Sequence, residues 1–94
     1  MVSAIDTIDE VTILSRAIRP DAGDWPIDIA NGIMSISLSE ADRVRMNELA
    51  GHAAAGSLSP DEEREIEKYR QVTRLLELLK AKARLSLARS IHRI

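Results

Sequence analysis

The sequence predicts an all-α fold, with short N-terminal helices followed by an antiparallel helical hairpin that ends in one long C-terminal helix. Three observations carry this expectation. From Ser59 to about Ser90 the chain keeps an unbroken helical pattern, apolar on two opposite sides. Start and stop residues divide the rest into three shorter helices. The core-forming residues are Leu, Ile, Val, Met and Ala, with Trp25 and Tyr69 the only aromatics and no Phe, a set that packs most readily between helices. The 94 residues suit one domain, 1–94, divided into N-terminal helices and a link (1–38), the hairpin (39–90) and a frayed tail (91–94).

Helix 1 is expected to begin at Thr7-Ile8-Asp9-Glu10, whose Ser/Thr-x-x-Glu spacing is a capping box, and to end before Pro20. It places Ile8, Val11, Leu14 and Ile18 on one side. A polar connection, Asp21-Ala22-Gly23-Asp24-Trp25, leads to Pro26 at the first position of helix 2, with Asp24 or Trp25 before it. That helix is expected to reach about Ser35. Met34, Ile36 and Leu38 then alternate with serines in the period of a strand, but a lone strand has nothing to pair with, so an extended link is expected. Helix 3 opens at Ser39 with Asp42 three residues on and runs to Gly56, a natural residue to follow a helix end. Its Gly51-His52-Ala53-Ala54-Ala55 run permits close approach of another helix. Helix 4 starts at Ser59-Pro60-Asp61-Glu62, where Ser caps, Pro takes the first turn and Glu completes a capping box. Only Gly56-Ser57-Leu58 separates it from helix 3, which makes the two an antiparallel hairpin.

Helix 4 spans roughly 45 Å at ~1.5 Å per residue, longer than a compact domain of this size is wide, so part of it is expected to await a partner. Its main apolar stripe is Tyr69, Val72, Leu76, Leu79, Ala83 and Leu87, spaced three and four apart like a coiled-coil seam and facing the hairpin partner or a dimer mate. A second row, Leu75, Leu78 and Leu85 with Lys82 and Arg89 interleaved, falls largely on the other side. Two readings of that row stand. Helices 1 and 2 fold back to cover it, or it is a contact face, with Leu78 and Leu85 as anchors and Arg74, Lys82 and Arg89 as a basic rim.

The net charge of −2 hides a division along the chain. Residues 1–67 carry five basic and fourteen acidic side chains, a balance of −9; residues 68–94 carry eight basic and one acidic, a balance of +7. One source is complementarity to the helix macrodipole, with acids in the first turns and bases in the last. The other is a basic arm that meets an acidic protein surface or a phosphate backbone.

Catalytic readings fail on chemistry. There is no Cys, no Ser stands in a Gly-x-Ser-x-Gly elbow, and the two histidines, His52 and His92, are far apart in sequence. His52 reads as a structural residue in a packing segment. The acids Asp61, Glu62, Glu63, Glu65 and Glu67 lack the Glu-x-x-His repeats of a helical di-metal site and read as a capped first turn. The glycines are scattered rather than gathered in a phosphate-binding loop. No enzyme activity, cofactor or metal is expected. No run approaches a membrane span, and the first residues lack a leader pattern, so a cytoplasmic protein is expected.

Three segments resemble a family of small, largely uncharacterised bacterial helical proteins: Ser39-Glu40-Ala41-Asp42-Arg43-Val44-Arg45-Met46-Asn47-Glu48-Leu49-Ala50, Gly56-Ser57-Leu58-Ser59-Pro60-Asp61-Glu62-Glu63-Arg64-Glu65, and Leu75-Leu76 through Lys82-Ala83-Arg84-Leu85-Ser86-Leu87. Members look like companions of HNH-type or related toxin-like nucleases, which implies an antitoxin or immunity-type role. The expectation is a non-enzymatic protein-binding module that uses Arg74, Leu75, Leu78, Lys82, Arg84, Leu85 and Arg89 in the distal half of helix 4. The alternative is a homodimeric DNA-binding autoregulator that uses the basic C-terminal arm, Arg89 and Arg93 in particular.

Overall fold

A computed structural model describes residues 9–92. Four helices follow one another, α1 (Glu10–Ile18), α2 (Ile27–Met34), α3 (Glu40–Ala54) and α4 (Pro60–His92), and among the described residues there is no strand. The fold is all-α, as expected.

The local signals explain most boundaries. Asp9, rather than Thr7, caps α1: its carboxylate accepts from the Thr12 N–H at 2.8 Å and from the Thr12 hydroxyl at 2.9 Å. Thr7 and Ile8 lie outside the described residues. The helix ends at Arg19, which takes the left-handed conformation at φ 55°, and Pro20 follows. Pro26 stands just before α2 instead of at its first position, and no side chain caps that helix. Asp24, expected near its start, is engaged elsewhere. Residues 36–39 belong to no helix or strand, and Ser39 takes an extended conformation at φ −63° and ψ 159°.

Ser39 caps α3, its hydroxyl accepting from Asp42 N–H at 3.1 Å. At the other end Gly56 sits at φ 69°, Gly56 N–H donates to Ala53 C=O at 3.1 Å and Ser57 N–H to His52 C=O at 2.9 Å. This is the Schellman pattern, which a side chain at Gly56 would strain. In α4 the capping box closes in both directions: Glu62 N–H donates to Ser59 Oγ and Ser59 N–H to Glu62 Oε1, each at 3.1 Å. The helix continues through His92, so Ile91 and His92, expected in a frayed tail, are helical.

The chain gathers into two compact units. The hairpin unit is Ser37–Thr73, made of α3 and the first part of α4. The terminal unit combines the N-terminal segment, with α1 and α2, and α4 from Arg74 onward. The N-terminal boundary between the units falls between Ile36 and Ser37, and α4 is divided between Thr73 and Arg74, so it contributes to both units.

In the hairpin unit Leu49 is fully buried, and polar bridges join α3 to the first part of α4. Arg45 makes a two-pronged contact with Glu65, Nε and Nη2 each 2.8 Å from a carboxylate oxygen, and reaches Glu48 at 3.0 Å and Glu62 at 3.5 Å. His52 Nδ1 lies 2.7 Å from Glu62 Oε2, and the Tyr69 hydroxyl donates to Asp42 at 2.8 Å. The pairs 52–62, 45–65 and 42–69 run in opposite senses along the two helices, which makes the hairpin antiparallel. Gly51 has open space around it, so the Ala-rich run faces outward instead of receiving another helix. Val72, expected in the packed stripe, is 45% exposed.

Candidate protein-binding surface

The terminal unit contains all seven residues expected at a partner contact, from Arg74, where its part of α4 begins, to Arg89, so its geometry decides which of them face out. Lys82 is the centre of its packing. Although charged, it is only 6% exposed. Its ammonium donates to the Ile18 carbonyl at 2.6 Å and to Asp24 at 2.9 Å, and lies 4.9 Å from the centre of the Trp25 ring. Ile18 ends α1, so Lys82 supplies a cation to a helix C-terminus whose last carbonyls have no intrahelical donors. Its hydrogen bond holds the Asp24 carboxyl below its ordinary range.

Around this centre the connection between α1 and α2 lies directly on α4. A Cβ at Gly23 would stand 2.7 Å from Leu85 Cγ and 2.9 Å from the Leu85 carbonyl carbon, so only glycine fits. Two residues on, Trp25 N–H donates to Ser86 Oγ at 3.2 Å, and Ser86, itself buried, returns its proton to the Lys82 carbonyl at 2.8 Å. Ala83 is fully buried on the same stretch. The reading in which the N-terminal segment folds back over the second row therefore describes Lys82 and Leu85.

The other expected residues are distributed as follows. Arg74 and Leu78 line an open cleft of about 310 Å³ with Val11, Thr12, Ser15 and Glu77, where Arg74 also pairs with Asp9 at 3.5 Å. Hydrogen bonds from the Thr12 backbone and hydroxyl, with Arg74 as a smaller contributor, hold the Asp9 carboxyl below its ordinary range. Arg89 lines a second hollow of about 200 Å³ with Gly23, Asp24, Trp25, Pro26, Ser86 and Ser90. Arg84 is exposed and Leu75 half-buried. Arg93 lies outside the described residues. Among the described residues no carboxylate lies within ion-pair reach of Lys80, Arg84 or Arg89.

Sequence reasoning missed the exposed aliphatic side chains of the N-terminal helices. Ile13, Leu14, Ile27, Ile29 and Ile36 are all exposed, Leu14 against the expectation that it faces inward. Their signal was present in the isoleucine content of residues 9–36, which exceeds what two helices of nine and eight residues can bury. The Lys82 cluster was missed because the partners of Lys82, Ile18, Asp24 and Trp25, lie 57 to 64 residues away. A lysine between Leu78 and Leu85 was its only trace.

His52 is accounted for by its bond to Glu62, and among the described residues no three His, Asp or Glu side chains gather as a metal would require. No helix among them is long and apolar enough to cross a membrane. Comparison with known proteins finds no family model, no curated protein and no solved structure that matches this chain.

Proposed function

We propose that the chain is a non-enzymatic helical module that binds another protein through its terminal unit, in the antitoxin or immunity-type role that the sequence resemblance implies. One observation carries the reading. Of the eight Val, Leu and Ile side chains between residues 9 and 36, only Val11 is buried and five are exposed. Single exposed aliphatics are ordinary, but such a proportion in one segment marks a surface suited to apolar contact.

Charge supports the kind of partner. After Glu77 the chain has no acid, and Lys80, Arg84 and Arg89 rim the distal part of α4. The surface fits a protein with an apolar patch bordered by carboxylates, in which the apolar groups supply contact area and the charges set orientation and encounter rate. Arg74 and Leu78 contribute from the cleft and Arg84 and Arg89 from the rim, with Leu75 beside them. Lys82 and Leu85 act indirectly, by holding the α1–α2 connection in place. Binding acts by occlusion or scaffolding.

Co-expression with the product of the neighbouring gene, followed by light scattering, tests the proposal. The native chain should form a stable complex. Arg84→Glu with Arg89→Glu should abolish it while helicity stays unchanged, whereas Leu85→Asp should unfold the terminal unit in the isolated chain. A complex that survives the double charge reversal would contradict the proposed surface.

A further inference from the structure

We propose that α1 is also a self-association surface, on which a second copy of this chain docks antiparallel about a two-fold axis through Ile13. The inference goes beyond the hetero-partner surface, with which it shares Ile13, and rests on the pattern of α1 itself. Val11 marks the inward side of this helix, being buried, and Ile13, two residues on, points the other way with 55% exposure. On the outward side Glu10 stands three residues before Ile13 and Arg16 three residues after, each turned about 60° from it at 100° per residue. All three are exposed, and so is Ala17, one turn beyond Ile13 and small enough to admit a neighbouring helix.

Glu10 and Arg16 do not satisfy each other within one chain. Six residues separate them by about 9 Å along the axis, and side chains meet on a helix at spacings of three or four. Among the described residues neither has an ion-pair partner. In an antiparallel pair centred on Ile13 each finds one. The position three before the centre faces the position three after it, so Glu10 of either copy meets Arg16 of the other, twice by symmetry, around an Ile13–Ile13 contact. The same patch is complementary to itself, which is the requirement of a two-fold interface. A helix of nine residues is about 13 Å long, so the contact buries far less than the roughly 1,200 Å² of a stable complex, and the dimer is weak.

Sedimentation velocity between about 10 μM and about 1 mM covers the range expected of so small an interface. The mass should rise with concentration from 10.4 kDa toward twice that value. Glu10→Arg and Arg16→Glu should each remain monomeric, because each places like charges opposite one another. Mixed together, the two variants should associate, since one then presents only arginines and the other only glutamates. Circular dichroism on each variant shows whether α1 persists. A native chain that stays at one mass at the highest concentration would overturn the proposal, as would variants that dimerise alone or fail to associate on mixing.

Discussion

In the hairpin unit, one leucine is fully buried, the ion pairs and hydrogen bonds that join the two helices link residues 10 to 27 apart, and both helices carry their own caps. In the terminal unit, the decisive contacts join residues 57 to 64 apart, α2 has no side-chain cap, and the buried apolar side chains are Val11, Ala30 and Ala83. One unit is fastened by polar groups chosen locally. The other is fastened by a lysine, a glycine and a serine on one stretch of loop and helix, and leaves its larger aliphatics in water. The difference teaches where each kind of job can be placed. The hairpin unit exposes two large aliphatics, Val44 and Val72, against five in the N-terminal segment of the terminal unit, and an incomplete apolar cover of that extent gains from a partner.

The strongest way to break the comparison is to attack each core in turn. Leu49→Ala should destabilise the hairpin unit by about 3 kcal/mol, from lost transfer energy and the cavity left behind. Gly23→Ala should cost about 2 kcal/mol and act on the terminal unit, because the new methyl meets the Leu85 backbone, which cannot rotate away as a side chain would. The chain carries its own reporters, with Trp25 in the terminal unit and Tyr69 in the hairpin unit as the sole residues of their types. In thermal or urea unfolding, Trp25 fluorescence should respond first in Gly23→Ala and Tyr69 absorbance first in Leu49→Ala. Ser59→Ala removes half of the capping box of α4 and should cost about 1 kcal/mol, read mainly by Tyr69.

Acid and base sharpen the same contrast. The Tyr69 hydroxyl and Ser39 hold the Asp42 carboxyl below its ordinary 3.8, while the Ser59 backbone and His52 hold Glu62, and Arg45 holds Glu65, below 4.5. Carboxylates with lowered folded values stabilise the fold fully above the unfolded ones. Their contribution is lost as pH falls below about 4.5 and through those depressed values. The hairpin unit should therefore loosen in acid, with Tyr69 absorbance as the measure. Tyr69 moves the opposite way, since donation to Asp42 raises it above 10.0. Its contribution is intact below pH 10.0 and lost as pH rises through the raised value. The smallest effect expected is a spectrophotometric one: the Tyr69 titration should fall back toward 10.0 in Asp42→Asn.

Legibility in the sequence followed the range of the interactions. Ser39, Gly56, Ser59, Pro60 and Glu62 act within a few residues of themselves, so the hairpin and its ends could be read directly. The start of α1 was displaced to Asp9, because two overlapping capping patterns, Thr7 with Glu10 and Asp9 with Thr12, occupy adjacent residues. Helical periodicity found two apolar rows on α4 but could not say what covers them. The answer depends on Gly23 and Trp25, whose roles exist only once the chain has folded back. Lys82 illustrates the limit best: at its place in the row it has the form of a rim cation, and burial against Ile18, Asp24 and Trp25 makes it an anchor.

Backbone hydrogen exchange on the chain alone and bound to its co-expressed partner tests the proposed division of labour most directly. Added protection should fall on the terminal unit, in α2 and in α4 beyond residue 74, with α3 and residues 60–73 unchanged. Protection gained in α3 and the first part of α4, with the terminal unit unaffected, would contradict it.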